Sequence, residues 1–226
     1  FDHDADKMIA ARRNDIGADG ALLGSKNSGI YKVNLVEKLL ATVLAKISNF
    51  IPEGGIWMNT QRPEWNDANN ALVGNGVSMV TLYYLRSFLQ FYETLIANTS
   101  ESTFEISEAL KTFFHELFTA LASNVNVLSG AISNADRKTI MDGLGTAGSN
   151  YRNSIYTQGF SGHRENLSKE DLMAFFHVSK KYIDHSIAAN KRADNLYHSY
   201  NLMTVDNEKE ISISYLCEML EGQVAV

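Results

Sequence analysis

Cysteine and proline are scarce in this sequence of 226 residues, and each scarcity narrows what the chain can be. The single cysteine, Cys217, excludes a disulfide within the chain, which suits a reducing compartment. The two prolines, Pro52 and Pro63, lie close together, so every residue after Gly76 is free to enter a helix. A chain of this length buries roughly 70% of the surface of its unfolded form, so it needs no disulfide or metal for stability.

Long apolar runs and an excess of basic residues are also missing. No stretch reaches about 18 apolar residues, so the sequence predicts no transmembrane helix and no membrane partner. The net charge is -6 and lysine and arginine are scattered, which argues against a nucleic-acid partner. The first six residues are acidic and lack the apolar core of a signal peptide. We expect a soluble domain, and the sequence leaves a cytoplasmic or a periplasmic location open.

Apolar residues recur at three- and four-residue spacing in long segments, which predicts helices. Ser102 and Ser168 open sequences that resemble capping boxes, and Asn134 is a suitable N-cap. Three glycines, Gly143, Gly145 and Gly148, either weaken the fourth helix or let another backbone approach it closely. The predicted helices cover residues 33–47, 77–97, 102–127, 134–151, 168–193 and 216–226.

These helices predict an all-α fold of antiparallel helical hairpins, in one domain over residues 1–226. Residues 210–214 alternate polar and apolar, as in a short strand or the approach to a helix, and we expect little sheet elsewhere. No glycine or proline ends the last helix, so the sequence suggests a fragment cut inside a helix, and a frayed natural C-terminus is the alternative.

The segment 54–76 differs from the rest because it is long and rich in functional side chains. Connections of this length within a compact domain are more often functional than not. The segment holds both tryptophans, an arginine, two carboxylates and a run of asparagines. Its candidate site residues are Trp57, Arg62, Glu64, Trp65, Asn66, Asp67, Asn69 and Asn70.

This mixture of side chains is the one that carbohydrate binding needs. Asparagine and aspartate form hydrogen bonds with hydroxyls, and the apolar face of a pyranose ring stacks on tryptophan. A carboxylic acid beside a tryptophan is also partly desolvated, which raises its pKa toward the range of a general acid. The alternative is that the asparagines and aspartate only shape a long connection, while the tryptophans fill the core.

Glu64-Trp65-Asn66-Asp67, followed by Ala68-Asn69-Asn70, resembles the Asp-Trp-Asn-Asp segment of disaccharide (cellobiose-type) phosphorylases and related six-hairpin glycosidases. The resemblance implies a partial or complete (α/α)6 toroid. It also implies that Glu64 protonates the leaving glycosidic oxygen and that Asp67 is a substrate ligand or orienting group. Glutamate stands here where the family has aspartate, which leaves hydrolysis and phosphorolysis both open.

Three further polar clusters are candidates for the remainder of such a site. In a toroid the connections at one end converge on a central pocket, so these clusters would meet the tryptophan segment. An inverting glycosidase needs a second carboxylate, whereas a phosphorylase needs basic or hydroxyl groups for phosphate. The candidate residues are His163, Arg164, Glu165, His198 and Glu221.

The resulting first hypothesis is a domain of a carbohydrate-active enzyme, a glycoside hydrolase or phosphorylase-like protein, that cleaves a glycosidic bond by general acid catalysis. Its partners would be an oligosaccharide or disaccharide, phosphate in the phosphorolytic case, and other domains of the same parent chain. The second hypothesis is a non-catalytic helical domain that binds carbohydrate or serves as a scaffold. The third is a purely structural helical protein. No cofactor is expected, and no histidine or acidic spacing indicates a metal site.

Overall fold

The computed structural model describes residues 3–22, 30–59 and 71–226. Helices dominate this part of the chain, and most of them follow the predicted segments. Short 3-10 turns cover Gly17–Ala21, Val125–Ser129 and Asn207–Lys209. The α-helices are α1 (His3–Ile16), α2 (Leu35–Ile47), α3 (Met79–Ala97), α4 (Glu108–Ser123), α5 (Asn134–Gln158), α6 (Lys169–Ala189) and α7 (Glu221–Ala225).

Two antiparallel sheets accompany the helices. A five-stranded sheet has the order β1-β2-β3-β6-β7, and a two-stranded sheet joins β4 to β5. In the larger sheet β3 pairs with β6 in the register Gly76↔Leu202, which joins residues far apart in the chain. The strands are β1 (Phe50–Ile51), β2 (Gly55–Trp57), β3 (Gly76–Ser78), β4 (Thr103–Ser107), β5 (Arg164–Ser168), β6 (Tyr200–Asp206) and β7 (Glu210–Tyr215).

The prediction of an all-α fold is therefore wrong. Of the residues that the structure describes, 62% are helical and 17% are in strands, and the curled five-stranded sheet is incompatible with a purely helical toroid. The strands β1, β2 and β3 have only two or three residues each, too few to show a period of two in the sequence. With the toroid overturned, nothing in the structure supports the class of six-hairpin glycosidase or glycoside hydrolase.

Two predicted helices also need correction. Residues 103–107 form β4, in which Phe104 and Ile106 are buried, so the segment after Ser102 is not a capping box. The helix predicted over residues 216–226 is limited to α7, since residues 216–220 are not helical. The preceding residues 210–215 form β7. The alternating pattern at residues 210–214 is thus a strand, which was one of the two interpretations left open.

The first residues of the other helices show why local sequence signals predicted where these helices begin. The Ser168 hydroxyl accepts a hydrogen bond from the backbone of Asp171 at 3.0 Å, as its predicted N-cap role requires. The Asn34 side chain caps α2 in the same way. α5 begins at the predicted Asn134, but its cap is the preceding residue, Ser133, which accepts from Asp136.

The core lies mainly between the helices, and a second small apolar cluster joins the larger sheet to α5. That cluster consists of Ile51, Val77, Met203 and Ile211, with Trp57, Met141 and Ile213 packed against it. It holds the first half of α5 against the sheet and so places this helix opposite Trp57. Within the described residues, no helix is long and apolar enough to cross a membrane.

Candidate functional site

A groove of about 320 Å³ lies between α5 and the segment that runs from the end of α2 to β2. We call it the Trp57 groove. One wall comes from α5 and consists of Met141, Asp142, Gly145, Thr146, Gly148, Ser149 and Arg152. The other wall consists of Ser48, Asn49, Ile51, Trp57 and Asn59.

Trp57 is held firmly at the end of β2. Its backbone N–H donates to the Asn49 carbonyl at 2.8 Å, and its indole Nε1–H donates to the Gly74 carbonyl at 2.9 Å. The ring is half-buried, with one part packed on the apolar cluster of the sheet and another part lining the groove. Because its polar atom is already satisfied, the indole presents an apolar surface of fixed orientation to the groove.

Glycine at the start of β2 is needed for this arrangement. Gly55 has a φ of 127°, in the region that side chains disfavour. A Cβ there would lie 2.7 Å from the backbone of Ser78, so only glycine lets β2 and the end of β3 approach this closely.

Two asparagines continue the wall beside Trp57. The Asn59 amide Nδ2 donates to Asn49 Oδ1 at 2.5 Å, and Asn49 Nδ2 donates to the Ala45 carbonyl at 2.9 Å. The pair therefore ties the segment after β2 to the last turn of α2. These amides are preorganised hydrogen-bonding groups next to an aromatic face.

The opposite wall is formed by small and hydroxyl side chains on one face of α5. Gly148 lies so close to the end of α2 that a Cβ would be 2.9 Å from the Ser48 Cβ, which gives this glycine the packing role considered from the sequence. A Cβ on Gly145 would meet nothing within 4 Å, so Gly145 leaves space in the groove. Thr146 and Ser149 add hydroxyl groups to this wall.

The two charged side chains of the groove, Asp142 and Arg152, differ in whether a described residue of opposite charge binds them. Asp142 Oδ2 accepts from Lys138 Nζ at 2.5 Å, one turn earlier on α5. Arg152 is exposed and has no hydrogen-bond or ion-pair partner among the described residues. Within the described part of the chain, the groove therefore combines one aromatic face, several neutral hydrogen-bonding groups and one cation without a counter-charge.

Most of the predicted site lies outside the described residues. The general acid predicted at Glu64 and the substrate ligand predicted at Asp67 stay predictions for this reason. The same holds for the predicted substrate contacts Arg62, Trp65, Asn66, Asn69 and Asn70.

The cluster at residues 163–165 is placed at β5, and none of its side chains lines the Trp57 groove. Arg164 Nη1 donates to the buried carboxylate of Glu37 at 3.2 Å, and Nη2 donates to the Lys32 carbonyl at 2.7 Å. Glu165 accepts from Lys111 at 2.6 Å, while His163 is exposed at the edge of β5. Arg164 and Glu165 thus connect β5 to neighbouring elements, and a role in substrate binding stays a prediction for all three.

His198 and Glu221 are also apart from the Trp57 groove. The His198 ring stacks on Tyr215 with centroids 4.1 Å apart. Burial, and next the positive charge of Arg192, lower the pKa of His198 below its usual value of 6.5. Glu221 is exposed at the first position of α7.

A charged cluster lies near His198. Arg192 donates to Asp194 at 2.8 Å and to Glu218 at 2.5 Å, and these hydrogen bonds hold the pKa of both carboxyl groups below their usual values. Arg192 therefore joins both carboxylates in one exposed ion-pair cluster. The described residues contain no cluster of histidine, cysteine or acidic side chains suited to a metal ion.

The sequence predicted Trp57 as a site residue but did not predict the residues of α5 that form the opposite wall of the groove. Thr146, Ser149 and Arg152 follow helical spacing, yet an ordinary solvent-exposed helix face shows the same pattern. The three glycines of α5 were the one signal that this helix approaches another element.

Comparison with models of known protein families finds no match, and comparison with curated proteins finds none either. The resemblance of residues 64–70 to disaccharide phosphorylases stays a prediction, because no relative tests it.

Proposed function

We propose that this chain binds carbohydrate in the Trp57 groove. The observation that carries this function is the meeting of a fixed, half-buried indole with amide and hydroxyl groups in one open groove. A sugar presents an apolar ring face and a rim of hydroxyls, and both are complemented there. Trp57 would stack on the ring, while Asn49, Asn59 and Ser149 would exchange hydrogen bonds with the hydroxyls.

The rigidity of the groove, like its composition, supports carbohydrate binding. Trp57 and Asn49 are already held by hydrogen bonds to the backbone, so little side-chain entropy is lost when a ligand binds. The groove is open, unlike the enclosed pockets that hold most cofactors. An open groove also admits a chain longer than one sugar ring.

Binding is tested by thermal denaturation with a panel of monosaccharides and oligosaccharides. A ligand at a hundred times its dissociation constant adds about 2.7 kcal/mol of stability, and this raises the melting temperature by roughly 5–11 °C. Binding should disappear in Trp57→Ala and persist in Tyr156→Ala. Tyr156 is a suitable control because it is an aromatic residue of α5 that is 74% exposed and does not line the groove.

A second variant keeps the test valid if Trp57→Ala does not fold. Gly145→Leu adds a bulky side chain at a groove position where a Cβ would meet nothing within 4 Å. This variant should fold and lose sugar binding. Carbohydrate binding that survives both Trp57→Ala and Gly145→Leu, or its absence from the folded parent protein, would show that the groove has another role.

Catalysis is a separate question. If a bound sugar is turned over, Glu64→Gln should abolish turnover and leave binding nearly unchanged, because the substitution removes the acidic proton and keeps the shape. Turnover that persists in this variant would contradict the general-acid role predicted from residues 64–67.

A further inference from the structure

We propose that the ligand of the Trp57 groove is an anionic carbohydrate whose carboxylate, sulfate or phosphate ester is bound by Arg152, an inference that rests on the carbohydrate-binding function above. Arg152 and Trp57 line the same groove from opposite walls. One ligand can therefore stack on the indole and present its anion to the guanidinium.

Arg152 belongs to the face of α5 that lines the groove. Met141, Gly145, Ser149 and Arg152 follow a spacing of three or four residues and so share one helix face. Side chains on a helix lean toward its N-terminus, so residues three or four apart, such as Ser149 and Arg152, are neighbours on that face. Met141 begins this face and packs against the same apolar cluster as Trp57.

The length of this face leaves room for a ligand longer than one sugar ring. Met141 and Arg152 are separated along the helix by about 16 Å, at a rise of about 1.5 Å per residue. A short oligosaccharide can lie along this wall, with one ring on Trp57 and another ring that carries the anion to Arg152. Gly145 keeps the path between the two ends open.

The charges around the groove favour an anion over a cation. Asp142 is the only carboxylate among the described residues that line it, and Lys138 already neutralises it. Arg152 has no such partner in the described chain. The whole protein carries a net charge of -6, so a guanidinium without a counter-charge among the described residues is a local exception to a generally negative molecule.

Arginine suits this role better than lysine would. Its planar guanidinium donates two parallel hydrogen bonds to a carboxylate, sulfate or phosphate, and it is always charged. The hydroxyl of Ser149, one turn before Arg152, lies on the same wall and can donate to the same anion. Loss of a hydrogen bond to a charged group should weaken binding roughly 10- to 100-fold.

The test compares two oligosaccharides of equal length, one with hexose and one with the matching hexuronic acid at the same position. Dissociation constants are measured by calorimetry with the parent protein, Arg152→Gln, Arg152→Lys and the control Arg13→Gln. Arg13 is an exposed arginine of α1 that does not line the groove, so its replacement changes the net charge by the same amount. The acidic sugar should bind more tightly to the parent. Arg152→Gln should remove that preference, whereas Arg152→Lys should keep part of it and Arg13→Gln all of it.

The outcomes separate this inference from the function on which it rests. Equal binding of the two sugars, unchanged in Arg152→Gln, would refute the anion site and leave carbohydrate binding intact. Failure of both sugars to bind would refute carbohydrate binding itself. Inorganic sulfate or phosphate serves as a third probe. If it binds through Arg152 without competing with the acidic sugar, the cation serves a separate anion, and the inference is overturned.

Discussion

Alanine at Gly145 and at Gly148 probes how closely α5 lies against the end of α2, which sets the floor of the Trp57 groove. Both glycines are interior residues of the same helix. Glycine costs about 0.8–1 kcal/mol relative to alanine at such a position, so each substitution gains the same helix propensity. The two variants differ only in what the new methyl group meets.

At Gly145 the methyl meets nothing within 4 Å, so Gly145→Ala should stabilise the protein by about 1 kcal/mol. At Gly148 it would lie 2.9 Å from the Ser48 Cβ, which has little freedom to move because it is bonded directly to the backbone. Overpacking of this kind costs about 1–3 kcal/mol, so Gly148→Ala should be less stable than Gly145→Ala by about that amount.

The assay is chemical denaturation of both variants and of the parent, with thermal melting as a second measure. For a protein of this size each kcal/mol corresponds to roughly 2–4 °C in melting temperature. The double variant Ser48→Gly/Gly148→Ala should recover most of the lost stability, and a double-mutant cycle with Ser48→Gly isolates the contact. If Gly148→Ala stabilises the protein as much as Gly145→Ala does, α5 does not rest on Ser48 and the groove is not shaped as described.

Two further predictions concern buried or perturbed ionisable groups. Arg137 is 5% exposed and pairs with Glu53 at 2.6 Å, so Arg137→Met should leave the Glu53 carboxylate without its arginine partner and destabilise the protein by about 3–5 kcal/mol. Urea denaturation measures the loss, which should be smaller when Glu53→Gln is added, and a loss under about 1 kcal/mol would contradict this role. The lowered pKa of His198 means that the unfolded chain binds its proton more readily, so this residue should leave stability unchanged above pH 6.5 and reduce it as the pH falls below 6.5. His198→Gln should make the pH dependence of the unfolding free energy shallower in that window, and an NMR titration that puts the His198 pKa above 6.5 would refute the explanation.

The site could be predicted in part, and the reason differs between its two walls. Trp57 was identified because an aromatic residue in a long polar segment is unusual in any fold. Thr146, Ser149 and Arg152 were missed because a polar helix face looks the same whether it borders a groove or bulk water. His163 and His198 were expected in one pocket because the connections at one end of a toroid converge. The protein has a five-stranded sheet and is not a purely helical toroid, so that argument no longer applies.

The sequence by itself determined most of the helices. Periodic apolar residues and local caps, such as Asn34 and Ser168, act within a few residues of one another, so no distant part of the chain is needed to recognise them. Only the tertiary structure decided the sheet. Its short strands have almost no period of their own and exist because β3 pairs with β6, whose residues follow more than 120 positions later. The same long-range packing sets Trp57 opposite α5, and so the groove forms only when the chain is folded.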